Sequence, residues 1–91
     1  MSDDLRDREA IRELLAVYCF RLDGGQHQEM AALFTEDGVF DIVGNRVYRG
    51  RAEIAAAASA TKVTTHITTD PLIEIHGDTA TQTSRLVTTY K

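Results

Sequence analysis

The sequence predicts an α+β domain in which helices collect on one face of an antiparallel sheet. Three observations carry this. Apolar residues recur at helical spacing through the first part of the chain, two short extended runs flank Gly44-Asn45, and ten of the eleven threonines lie from Thr61 onward. The last of these is the β-branched enrichment that marks strands. The resulting order of helix, helix, hairpin, helix, long strand, long strand closes most simply by antiparallel pairing.

From Asp4 to Asp23, the residues Ile11, Leu14, Leu15, Tyr18, Cys19 and Leu22 repeat at three- and four-residue spacing, the stripe of an amphipathic helix. Ser2, Asp3 and Asp4 offer capping oxygens at its start, and Gly24-Gly25 supplies the positive-φ residue that stops it. Val17 and Phe20 lie off the stripe, which predicts cover on more than one side. Met30, Leu33 and Phe34 repeat the spacing in a short second helix ending near Thr35. After the Glu36-Asp37-Gly38 turn, Val39 to Val43 and Arg46 to Arg49 read as strands joined by a two-residue Gly44-Asn45 turn. Gly50 ends the second strand, and the alanine-rich run from Arg51 to Ala60 predicts a third helix whose apolar face rests on Ile54. Val63 to Thr69 and Leu72 to Ile75 form one strand interrupted at Asp70-Pro71, because proline has no ladder donor. His76-Gly77-Asp78 turns into a final strand from Thr79 to Tyr90. That strand is still running at Lys91 and leaves an unpaired edge. Residues 1–91 therefore read as a single domain, incomplete at its C-terminal side or completed by a partner.

With 91 residues, 43% hydrophobic and 26% charged, the chain has the composition of one globular unit. A domain of this size buries only roughly 60–65% of its unfolded surface, so a ligand cavity inside it calls for a partner subunit. Ten basic against fourteen acidic residues give a net charge of -4, and the bases are scattered, which argues against nucleic acid as a partner. Cys19 is the only cysteine, excluding an intrachain disulfide framework and a cysteine zinc site and fitting a reducing cytoplasm. The acidic N-terminus lacks the basic start and apolar run of a secretory signal, and no segment nears the roughly 20 apolar residues of a membrane span.

Tyr18, the helix end Leu22-Asp23-Gly24-Gly25, the run Leu33-Phe34-Thr35-Glu36-Asp37-Gly38-Val39-Phe40, the later Gly50-Arg51-Ala52-Glu53-Ile54, and His66 stand in one order. Together they resemble the SnoaL-like family of the nuclear-transport-factor-like superfamily, which includes polyketide cyclases, scytalone dehydratase, ketosteroid isomerase and small subunits of ring dioxygenases. The resemblance implies a cone: a curved antiparallel sheet wrapped around N-terminal helices with an apolar pocket in its mouth. Members usually carry further strands beyond the position of Lys91, and this sequence departs from the pattern there.

The resemblance also singles out residues. Asp23 matches a pocket acid that works with a histidine on the sheet, and His66 falls where that histidine falls. Read by itself, Asp23 is equally a helix-end turn residue. By strand alternation His66 shares a face with Thr64 and Thr68, which points either into the concave side or to solvent. A buried Asp23 at the negative end of a helix dipole would hold its proton more tightly, as acid–base work needs. The dehydratase pattern has a second histidine where this chain reads Leu86-Val87-Thr88-Thr89-Tyr90, so scytalone dehydratase activity itself is not expected. Tyr18 and Tyr48 offer phenolic donors or serve as packing residues, and Phe34 and Phe40 complete an apolar lining. Asp41 is a surface residue or a second pocket carboxylate. His27 and His76 read as surface residues, Cys19 as a core residue, and Arg46, Arg49 and Arg51 as a solvated basic edge or a carboxylate-binding patch. The expectation is a small-molecule-binding SnoaL-like domain that moves protons on an apolar substrate, in dehydration, cyclisation or isomerisation. Asp23 and His66 are its catalytic candidates and Tyr18, Tyr48, Phe34 and Phe40 its substrate contacts. No metal or cofactor is expected, and a homodimer forms through the sheet. The alternatives are a non-catalytic binding or dimerisation module and a small structural subunit of a larger oxygenase.

Overall fold

The computed structural model describes residues 2–90, with the side chains of Ser2 and Asp3 left aside. The capping expected of those two, and the strand end expected at Lys91, fall outside the described residues. The elements are α1 (Ser2–Asp23), α2 (His27–Ala31), β1 (Val39–Ile42), β2 (Arg46–Arg49), α3 (Gly50–Ala60), β3 (Val63–Thr68), β4 (Leu72–His76), β5 (Thr79–Thr83) and β6 (Leu86–Tyr90). This is the α+β order read from the sequence. No described helix is long and apolar enough to cross a membrane.

The end of α1 is set by glycine chemistry. Gln26 N–H donates to the Arg21 carbonyl at 2.9 Å and Gly25 N–H to that of Leu22 at 3.3 Å, with Gly25 at φ +73°. These are the two bonds of a Schellman stop, in which the left-handed residue suits glycine best. Asp23 is thereby fixed as the last helical residue. The turn between β1 and β2 has three residues rather than the expected two, since Ile42 pairs with Arg46. Asn45 N–H donates to the Ile42 carbonyl at 2.9 Å and Gly44 sits at φ +82°, so the left-handed position falls one residue before the turn's end.

The long second half is one bent hairpin. β3 pairs with β6 and β4 with β5, all antiparallel. The break at Pro71 is as expected, but the opposite strand, read as continuous from Thr79 to Tyr90, also breaks, at Ser84-Arg85. Thr69 N–H to the Arg85 carbonyl at 3.0 Å and Arg85 N–H to Thr69 Oγ1 at 2.9 Å stitch the bend, so both strands must turn together. A register shift between Val63 and Thr65 adds a bulge at the start of β3. Among the described residues, the β1–β2 ladder does not join this hairpin, and the antiparallel strands form three two-stranded ladders, β1–β2, β3–β6 and β4–β5.

The core lies where α1, α2 and α3 meet. Leu22, Met30, Ala31, Ile54, Ala55 and Ala58 are buried, and Tyr18, Phe34, Phe40 and Tyr48 pack around them. The expected dependence of α3 on Ile54 holds, with Ala55 and Ala58 completing a smooth face that lets α2 lie close. Full burial of Ile54 is worth about 1.5–3 kcal/mol. Of the two residues that predicted cover on a second side of α1, Val17 is half-buried but Phe20 is 79% exposed, so the cover does not extend to Phe20 among the described residues. Two polar ties hold the outer arm of the hairpin to α1: an Arg8 guanidinium nitrogen on the Ile73 carbonyl at 3.0 Å, and Gln82 Nε2 on that of Ile11 at 3.2 Å.

Candidate functional site

The Schellman stop of α1 and the inward face of β3 bring together two residues 43 positions apart. The Asp23 carboxylate accepts from the His66 backbone N–H at 2.9 Å through one oxygen and lies 2.5 Å from His66 Nδ1 through the other. The His66 side chain is 9% exposed and that of Asp23 22%. A carboxylate only accepts, so the proton of a neutral imidazole belongs on Nδ1 and its basic lone pair on Nε2. The sequence left open which way His66 faces. It faces inward with Thr68, whereas the bulge turns Thr64 to the exposed Thr89, whose hydroxyl lies 2.6 Å from its own, and Ile67 on the other face is 57% exposed.

His66 lines an open cavity of about 400 Å³ bordered by Tyr18 and Leu22 of α1, Phe40 to Ile42 of β1, Ala57 and Ala58 of α3, and Leu86, Thr88 and Tyr90 of β6. The bulge at the start of β3 lets Val63 join the same wall. Tyr18 also lines a second, apolar cavity along α1, which includes Phe34. Burial raises the Tyr18 phenol above its usual range, with the neighbouring Cys19 and Asp23 charges adding to the effect. The hydroxyl therefore stays protonated at neutral pH and is available as a donor.

Phe34, Phe40 and Tyr48 form a tilted aromatic row, with ring centroids 6.0 and 6.2 Å apart. Phe40 reaches the first cavity and Phe34 the second; Tyr48 lines neither and carries the Arg46 guanidinium 4.9 Å above its ring. Arg51 donates to the Phe34 carbonyl at 2.8 Å, so the basic residues around the first hairpin are partly structural. Asp41 is exposed at the rim of the first cavity. Cys19 is buried and free, and burial followed by the Asp23 charge raises its thiol, which keeps it a poor nucleophile. His76 is exposed as expected. His27, read as a surface residue, is half-buried: it lines an open groove together with Asp23, with its Nδ1 enclosed and unbonded among the described residues. Among the described residues, no three His, Cys, Asp or Glu side chains converge on a place for a metal ion.

The family model for the SnoaL-like domain matches residues 3–90. The chain belongs to the SnoaL-like family. The SnoaL-like domain is also similar to two solved structures. One is an NTF2-like protein with a cystatin-like fold from Novosphingobium aromaticivorans, 29% identical over 92% of this chain and 66% of that one, with a TM-score of 0.78. The other is a protein of unknown function from Mycobacterium tuberculosis, solved as an aspartate-to-asparagine variant. It is 36% identical over 98% of this chain and 54% of that one, with a TM-score of 0.88. The SnoaL-like domain thus spans about two thirds of the first structure and about half of the second. Among curated proteins, none matches it significantly.

The sequence reading missed Leu14, Leu15, Leu33 and Gln82 as cavity walls. The first two were visible only as core stripe, and Gln82 sat unremarked in a threonine-rich strand.

Proposed function

We propose that this SnoaL-like domain binds a small, largely apolar carbonyl compound in the cavity beside His66 and moves a proton on it, in a dehydration, cyclisation or isomerisation. The observation that carries this reading is the bonding of Asp23 to both the amide and the ring of His66 at the wall of that cavity. Asp23 holds the tautomer that leaves Nε2 basic, and Nε2 removes a proton next to the substrate carbonyl. Tyr18 donates to the oxygen on which negative charge develops, and the imidazolium gives the proton to a new carbon in an isomerisation, to the departing hydroxyl as the C–O bond breaks in a dehydration, or to the alkoxide left when the enolate carbon adds to a second carbonyl in a cyclisation. A positioned acid–base group of this kind contributes about 10²–10⁴-fold in rate.

The test requires no knowledge of the natural substrate. Cyclic ketones such as β-tetralone are incubated in deuterated water, and exchange of the protons next to the carbonyl is followed by NMR. Catalysed exchange is expected in the unaltered protein, falling to background in His66→Ala and strongly reduced in Asp23→Asn and Tyr18→Phe. Exchange at an unchanged rate in His66→Ala overturns the reading.

The inferred macromolecular partner is a second copy of the chain. Ile67 and Val87, paired across β3 and β6, are 57% and 65% exposed on the outer face of the hairpin, a surface suited to burial in a homodimer. Ile67→Lys should convert a dimer to a monomer in light scattering; a monomer before substitution removes the inference. The free, buried Cys19 fits the cytoplasm as the place of action.

A further inference from the structure

His66 has a neighbour that the proposed chemistry does not use. Thr88 pairs with it directly across the β3–β6 ladder, is half-buried, and lines the same cavity. Side chains paired in this way have their Cβ atoms about 4.5–5.5 Å apart. Leu86, Thr88 and Tyr90 of β6 all border the cavity, and Thr88 is the one opposite His66. Among the described residues, its hydroxyl makes no hydrogen bond to the protein, whereas those of other threonines close by do. Thr61 Oγ1 accepts from the Val63 amide at 3.1 Å, and the Thr64 and Thr89 hydroxyls bond each other at 2.6 Å. Half-buried hydroxyls ordinarily have a partner, and this one has a donor and two lone pairs free for what enters the cavity.

The remaining wall decides what chemistry suits it. Among the described residues the cavity is bordered by the Asp41 carboxylate and by no Lys or Arg. An anionic group reaching Thr88 would lose its water and find no cation to pair with, whereas a neutral oxygen needs none. Tyr18 and Thr88 reach His66 from different elements: Asp23 ties the ring to α1, the helix that carries Tyr18, and the ladder ties its strand to β6. We infer that Thr88 is a specificity-determining residue that hydrogen-bonds a second, neutral oxygen of the substrate, a hydroxyl on the carbon next to the one that loses its proton. With the carbonyl oxygen at Tyr18 and this hydroxyl at Thr88, the carbon between the two oxygen-bearing carbons faces Nε2. A hydroxyl uses Thr88 fully, because each can give a proton to the other or accept one. The placement of the carbonyl rests on the proposed function; the contact at Thr88 is read by binding alone.

The experiment compares cyclohexanone with 3-hydroxycyclohexanone, which adds that hydroxyl and nothing else, in titrations followed by backbone amide NMR. In the unaltered protein the hydroxyketone should bind about two- to twelvefold tighter, the ratio that a net hydrogen bond of about 0.5–1.5 kcal/mol gives. The preference should vanish in Thr88→Val, which keeps the shape and removes the hydroxyl, and should persist in Thr88→Ser. Thr88→Ala takes the place of the valine variant should that one fail to fold. Equal affinities in the unaltered protein overturn the inference, as does a preference that survives in the valine variant or is lost equally in the serine variant. A preference for the hydroxyketone without β-tetralone exchange defeats the catalytic reading alone, and exchange without a preference defeats the Thr88 contact alone. Failure of both ketones to bind defeats both.

Discussion

Removing the Asp23 carboxylate should cost stability in an amount set by what it leaves behind. In Asp23→Ala the His66 amide and ring nitrogen both lose their acceptor. Each unsatisfied buried group costs about 1–3 kcal/mol, and the lower half of that range applies here because Asp23 is 22% exposed and water can reach part of the gap. The sum is about 2–4 kcal/mol. For a domain of this length each kcal/mol moves Tm by about 4–8 °C, so a fall of about 8–30 °C is expected in calorimetry at neutral pH. Asp23→Asn keeps one carbonyl oxygen for the amide and should lose only about 1 kcal/mol. Its side-chain N–H₂ can donate to Nδ1, which moves the ring proton to Nε2, so this variant should fold well and still lose proton-transfer activity. An alanine variant melting within about 3 °C of the parent would refute the reasoning, as would an asparagine variant as unstable as alanine.

Ile54→Ala, at the fully buried centre of the helical core, should lower the urea-unfolding free energy by about 2–5 kcal/mol. Gly25→Ala forces a Cβ into φ +73° and should cost about 1–2 kcal/mol in the same assay, although no atom stands within 4 Å of the added carbon. The raised Tyr18 and Cys19 groups make stability fall at alkaline pH. Their contribution is complete below the ordinary values of 9.0 for the thiol and 10.0 for the phenol, and it is lost as pH climbs through the higher folded values. Urea titrations across that range should show the decline, and Tyr18→Phe should flatten its upper part; a stability independent of alkaline pH contradicts the burial argument.

The parts of the fold written in local chemistry were legible. The helical stripe through Leu22 and the paired glycines behind it define α1 to its last residue, and Pro71 marks the bend in the first long strand. The matching break at Ser84-Arg85 had no signal of its own, because it is imposed from across the ladder by Thr69. Phe20 looked like a covered residue because periodicity reports where apolar groups fall and not what reaches them. The meeting of Asp23 and His66 lay beyond periodicity altogether: each had a plain local role, as turn residue and strand residue, and only the family's residue order suggested a pair. The half-burial of His27 had no local signal, because it comes from the packing of α3 beside α2, where Ala55 and Ser59 share its groove.

The double hold of Asp23 on His66 ties the chemistry of the ring to the seating of the chain. One carboxylate at the tip of a helix grips the amide that sets the height of β3 and the nitrogen that sets the proton's address. A ligand that pries the long hairpin away from α1 would therefore unseat the strand and scramble the tautomer in a single movement. The cavity can be loose at its apolar walls and still keep its base correctly set, so long as this one hinge pin stays in place.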